Sequence, residues 1–189
     1  MKCGKVLTVN EEYCKDCQNR PHAFIQGSAV FDYGSISDSL FRFKNKGRME
    51  YAEFYAREIL KTKGDWLRVI NPDAFIPVPI HKSKLNKRGY NQSELISKEL
   101  SRLTSIPTYS GLITRVKKTN PLKNLNRSER QNNLKRAFKV SDNGVKLKTI
   151  VIIDDIYTTG STIDEISRSI LASMDVNIYF LTVTIGRGV

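Results

Sequence analysis

Cysteine is scarce in this 189-residue chain: there are three, all before residue 18, too few and too crowded for a disulfide framework. Long apolar runs are missing as well. The longest, such as 150–153, fall far short of the roughly 20 residues that cross a bilayer. No basic start leads into an apolar stretch with a small-residue cleavage site, so the expectation is a cytoplasmic protein without a transmembrane segment. No G-x-x-x-x-G-K-[ST] occurs, which excludes a Walker-type nucleotide loop. Internal repeats, heptads and low-complexity tracts are absent too. Acidic residues are the minority, 19 Asp and Glu against 31 Lys and Arg, for a formal net charge of +12.

That imbalance suits an anionic partner: nucleic acid, an anionic membrane face or a polyphosphorylated metabolite. The basic residues are clustered. Arg115, Lys117, Lys118, Lys123, Arg127, Arg130, Lys135 and Arg136 share one stretch with a single acid, Glu129. Smaller groups are Arg42, Lys44, Lys46 and Arg48, and Lys82, Lys84, Lys87 and Arg88. Each group alone reads as a solvated face; three of them flanking ligand loops read as an anion-handling surface.

Hydrophobic residues make up 40% of the chain and charged residues 26%, the balance of a folded domain rather than of disorder. The length predicts one ordinary domain plus a small appendage. Residues 1–23 form the appendage, a polar segment with Cys14 and Cys17 in a C-x-x-C and Cys3 followed by Gly4 and Lys5. A C-G-K turn resembles half of a zinc knuckle, because glycine lets backbone amides point back at a thiolate. Cys3, Cys14 and Cys17 are therefore candidate ligands for Zn2+. A structural zinc ion takes four protein ligands; a fourth cysteine would fall ahead of Met1, leaving His22 as the nearby candidate. The alternative is a metal-free segment with three reduced thiols.

Residues 24–189 form the main domain. An apolar stretch at 24–33 predicts a strand or two. At 47–67, Met49, Ala52, Tyr55, Ala56, Ile59 and Leu60 recur at three- and four-residue spacing and predict a helix. The run 74–80 predicts a buried strand leaving a sheet into a basic loop that ends at Arg88-Gly89-Tyr90. A helix is expected over about 91–103 and a strand within 108–116. The long polar segment 117–136 is too long for a simple connection and is expected to be functional or mobile. Strand 149–153, helix 161–173 and strand 176–185 imply a right-handed parallel crossover and, with the 74–103 unit, an open α/β sheet with flanking helices.

The chemistry concentrates at 152–162, Ile-Ile-Asp-Asp-Ile-Tyr-Thr-Thr-Gly-Ser-Thr. Ligands of open α/β sheets bind beyond the carboxyl ends of strands. Here such an end delivers Asp154 and Asp155, then a hydroxyl-rich turn that opens a helix. Thr159, Gly160, Ser161 and Thr162 would turn amides and hydroxyls into one concavity at the positive end of that helix, a phosphate cup without a lysine. The two acids can accept hydrogen bonds from vicinal sugar hydroxyls or touch a hydrated divalent cation. Together they describe a ribose 5-phosphate site. An ordinary capping turn needs one such residue, not two acids and four hydroxyls around a glycine.

This segment resembles the fingerprint of type I phosphoribosyltransferases, which bind 5-phosphoribosyl 1-pyrophosphate (PRPP) with Mg2+. The whole chain resembles the ComF family through an ordered series: C-G-K at 3–5, C-K-D-C at 14–17, F-K-N-K-G-R at 43–48, P-V-P-I-H at 77–81, R-G-Y-N-Q at 88–92, R-x-x-x-T at 115–119 and E-R-Q-N-N-L-K-R-A-F at 129–138. The resemblance implies that Asp154 and Asp155 hold the ribose hydroxyls and that Thr158, Thr159, Gly160, Ser161 and Thr162 hold the 5-phosphate. It implies a pyrophosphate loop after Pro79 with Lys82 and Arg88 as contacts, and a basic loop at 117–136 that closes over the reacting centre. Purine-salvage enzymes of this type carry an acid where this chain has Thr158, which speaks against hypoxanthine or guanine as acceptor. The family also favours Gln where this chain has Leu122. His81, beside a proline-rich turn, is expected to be a loop residue rather than a general base. Two functions follow: phosphoribosyl transfer to a nitrogen nucleophile with pyrophosphate release, or a non-enzymatic role in DNA uptake as adaptor, sensor or DNA-binding component, with single-stranded DNA or competence-machinery proteins as partners.

Overall fold

The computed structural model describes residues 2–5, 7, 11–19, 21–117, 137–141 and 144–186. The expectations for 118–136, Leu122 among them, lie outside these residues. The described elements are α1 (Lys15–Gln18), β1 (Gln26–Asp32), α2 (Tyr33–Asn45), α3 (Tyr51–Ile70), β2 (Ala74–Pro77), α4 (Lys82–Arg88), α5 (Gln92–Thr104), β3 (Ile113–Arg115), β4 (Phe138–Val140), β5 (Thr149–Tyr157), α6 (Ser161–Leu171) and β6 (Asn177–Ile185).

Four strands form a parallel sheet in the order β1-β6-β5-β2. The β-branched run of β5 is continuous because helices cover both faces. Val151 and Ile153 belong to one core with Phe43 of α2, Tyr55 and Ile59 of α3, and Ile96 and Leu100 of α5. Ile150 and Ile152 belong to the other, with Ile163, Ile166 and Ile170 of α6 and with Phe24 and Phe180. Register places Ile152 between Ile76 of β2 and Phe180 of β6. Burying one such isoleucine contributes about 1.5–3 kcal/mol. At Gly27 of β1 a methyl group would lie 2.0 Å from the Phe180 ring, so only glycine lets the strand pass. The mixed α/β layering and the parallel sheet agree with the sequence expectation.

Three local expectations change. The basic stretch after Ile80 is not a loop: 82–88 is the helix α4, capped by the His81 side chain accepting from the Ser83 amide and ended by Gly89 at φ 85°. Apolar spacing is absent there, and the caps define the helix instead. The segment 108–116 does not form one strand. Thr108 bridges Phe75 beside β2, whereas β3 pairs antiparallel with β4 in a separate ribbon. The first apolar stretch continues past β1 into α2, whose Leu40 and Phe43 are its buried residues.

The cysteine segment lies against the main domain. Cys3 and Cys14 share a core with Phe24, Tyr157 and Ile163, and the Gly27 amide donates to the Lys2 carbonyl at 2.8 Å. Among the described residues no helix is long and apolar enough to cross a membrane.

Candidate functional site

Where β5 ends, the chain makes a tight turn through Thr158, Thr159 and Gly160 and enters α6 at Ser161. Gly160 has φ 76°, and a methyl group there would sit 2.5 Å from the Tyr157 hydroxyl. Left-handed backbone and close approach together call for glycine. The turn borders a shallow, open cup lined by Asp154, Ile156, Thr158, Thr159, Ser161 and Thr162 among others. The Thr159 and Ser161 hydroxyls hydrogen-bond at 3.0 Å. With the amides of the first turn of α6 and the positive end of its dipole, these groups make a cavity suited to an anion. The structure thus brings Asp154, Thr158, Thr159, Gly160, Ser161 and Thr162 to one cup.

Asp155 is next to them in sequence but is engaged elsewhere: its Oδ2 lies 2.7 Å from Nζ of Lys44, at the end of α2. Asp154 accepts from the Ser93 hydroxyl at 3.0 Å and from the Asp155 amide at 2.9 Å. Burial, and then the charge of Asp155, push its carboxyl up to about 7, against the opposing pull of Lys44. Two adjacent carboxylates cannot both be cheaply ionised in such a place.

Besides Lys44, two further cations, Lys84 and Arg115, feel the charges of the acids. The Lys84 ammonium is held below its usual value by desolvation and then by Arg115, Arg88 and Lys44, with Asp155 countering. Burial lowers Arg115 too, against the attraction of Asp154, and its guanidinium lies 5.5 Å from the centre of the Phe138 ring. Of the two residues assigned to pyrophosphate, Lys82 is exposed at the start of α4. Arg88 is partly buried and donates to Gln92 Oε1 at 2.6 Å. Lys44, Lys84, Arg115 and Ser93 are site residues that sequence reasoning did not single out. The three cations were visible only as members of charge clusters, and Ser93 had no signal beyond following R-G-Y-N-Q.

The three thiols form a second centre. Their sulfurs all lie within 4.8 Å of one another, with Cys3 and Cys14 at 3.4 Å. Burial raises Cys3 and Cys17. At Cys14 burial also acts upward, but hydrogen bonds from the Cys17 and Asp16 amides and from the neighbouring thiols outweigh it and lower the thiol. His22 stands outside this group: its Nδ1 lies 2.9 Å from Oδ2 of Asp164 in α6, and both side chains are fully buried.

No family model matches the chain. Individual proteins do. It is 33% identical over 172 residues to Competence protein F of Haemophilus influenzae, which covers 88% of this chain and 75% of that protein. It is 32% identical over 178 residues to DNA utilization protein YhgH of Escherichia coli K12, covering 90% and 76%. With Competence protein ComFC of Bacillus subtilis it shares 27% over 180 residues, 89% and 70% of the two chains. A cysteine segment, an acid pair and a hydroxyl turn in one order could arise separately, but identity at this level over nine-tenths of the chain is common descent: the chain belongs to the ComF family.

Proposed function

We propose that the chain binds PRPP, or a closely related phosphorylated ribose, on a type I phosphoribosyltransferase-like fold. The observation that carries this reading is the cup of 158–162 with Asp154 on its wall: an open hollow at a helix N-terminus, directly beside a hydroxyl acceptor. Asp155 adds the second acceptor, Lys44 pairs with it, and Lys84 and Arg115 feel the charges of Asp155 and Asp154, the sign of charge a pyrophosphate group needs. Lys82, exposed at the start of α4, is assigned to pyrophosphate by the family resemblance alone.

The reaction that suits this arrangement is phosphoribosyl transfer. The bond from the anomeric carbon to pyrophosphate breaks, a bond to a nitrogen nucleophile forms with inversion, and the nucleophile loses its proton. The cations stabilise charge that grows on the departing oxygens. Carboxylate oxygens such as those of Asp154 and Asp155 fit Mg2+, which when bound would neutralise ribose and pyrophosphate oxygens. The Cys3, Cys14 and Cys17 sulfurs supply three of the four soft ligands that a structural Zn2+ takes.

A second reading is a role in DNA uptake as adaptor, sensor or DNA-binding component. It is favoured by relatives named for competence and DNA utilization and by the +12 charge. Calorimetry with PRPP and Mg2+, followed by a pyrophosphate-release screen against bases, amines and single-stranded DNA, separates the two. Binding with release supports the enzyme, and binding without release supports the sensor. Absence of binding at millimolar PRPP ends both versions of the donor site. DNA affinity resting on phosphate contacts would fall steeply with salt.

A further inference from the structure

Lys44 comes from a helix for which the ribose-site reading has no role. Its ammonium nevertheless makes the ion pair with Asp155, and the two side chains are 24% and 11% exposed. The ion pair is held in place from behind. Phe43, one residue earlier, is fully buried, and its carbonyl receives two side-chain hydrogen bonds, from the Tyr90 hydroxyl just ahead of α5 and from Nε2 of Gln92, the first residue of α5, at 3.4 Å. Gln92 is itself held by Arg88 at 2.6 Å. The last carbonyls of a helix usually turn to water or a cap. Here one of them is tied to the entry into a second helix, 47 and 49 residues away, which fixes the point from which Lys44 reaches Asp155.

A long, flexible lysine on a mere surface pair needs no such fastening. What needs it is charge control. Two adjacent carboxylates repel an anionic sugar by an energy that scales with the ligand's charge and, in a partly desolvated site, is poorly screened. We infer that Lys44 is a specificity-determining residue of this site, the cation that allows a highly charged phosphorylated sugar to settle against Asp154 and Asp155, and that Tyr90, Gln92 and Arg88 are its positioning residues. The inference rests on the phosphorylated-ribose reading and deepens it: Lys44 selects for the more anionic ligand, PRPP over ribose 5-phosphate.

Calorimetry of the full chain with Mg2+ and each of these two ligands tests it, using Lys44→Met, Lys44→Arg and Tyr90→Phe. Thermal melts establish that each variant is folded. Lys44→Met is expected to weaken PRPP binding at least tenfold and ribose 5-phosphate no more than threefold, with Lys44→Arg within threefold of the parent for both. Tyr90→Phe, which removes only the hydroxyl on the Phe43 carbonyl, is expected to lower the preference for PRPP by a smaller factor. Equal losses for both ligands in Lys44→Met, or no loss, overturn the inference while leaving the ribose reading standing. A parent chain that binds neither ligand overturns both. If Lys44→Met does not fold, Tyr90→Phe decides on the same ratio.

Discussion

The anion cup takes its hydroxyls from consecutive residues, Thr158 to Thr162, on one turn between β5 and α6. The cationic wall beside it is gathered from Lys44 in α2, Lys84 and Arg88 in α4 and Arg115 in β3. The cup is a local device: its shape follows from one glycine and one helix start. The cations of the wall come together only when α2, α4 and the β3–β4 ribbon are assembled beside the end of β5. A change to the cup should therefore abolish binding of any phosphate ester, whereas a change to the wall should alter which ester is preferred.

Gly160→Val gives the largest effect. A β-branched residue must take φ 76° and overlap the Tyr157 hydroxyl, so ribose 5-phosphate and PRPP should both lose affinity by roughly 100-fold, with about 2–3 kcal/mol of stability lost. Calorimetry and urea melts check both. If PRPP alone suffers, the local picture of the cup fails.

Asp154→Asn comes next. PRPP affinity should fall about 20-fold, and the variant should lose a pH dependence the parent shows. With its folded-state value raised to about 7, Asp154 gains negative charge between pH 6 and 8, and a carboxylate accepts ligand hydroxyls more strongly than the neutral acid, so parent affinity should rise over that range. Stability runs the other way. The folded chain holds this proton more tightly than the unfolded one, so the parent loses stability as pH rises from about 4 through 7. Asp154→Asn should lack this component of the pH dependence and be more stable than the parent at pH 8.

Arg115→Met tests the wall. Its guanidinium and the Asp154 carboxyl attract each other, so removing it should move the binding midpoint to higher pH and cost PRPP about fivefold at pH 7, with ribose 5-phosphate affected less. Ser93→Ala has the smallest effect. It removes one hydrogen bond to Asp154, worth about 1 kcal/mol, and should weaken both ligands to the same modest degree.

The same contrast explains what could be read from the chain. The strand of β5 was legible because β-branched residues buried on both faces form an unbroken run, and the cup because its groups are contiguous. Lys44, Lys84 and Arg115 were legible only as charge, since nothing local distinguishes a solvated lysine from one aimed at Asp155. Helix α4 was hidden because its seven residues carry no apolar period and depend on His81 and Gly89 at their ends. Helix α2 was hidden because it buries few residues and is kinked at Ile36, where φ is −131°. The meeting of R-G-Y-N-Q with the Phe43 carbonyl spans 47 residues, a tertiary contact that no window of sequence contains.

The buried strap from the cysteine segment to α6 has a dynamic consequence. Asp164 takes His22 Nδ1 at 2.9 Å on one oxygen and the Ala23 amide at 3.1 Å on the other. Peeling the front segment away would break both of these bonds to a carboxylate in the first turn of the helix that forms the cup. Opening of the two parts should therefore be coupled, so the rate at which Cys3 and Cys14 become accessible to an alkylating reagent should report on the breathing of α6.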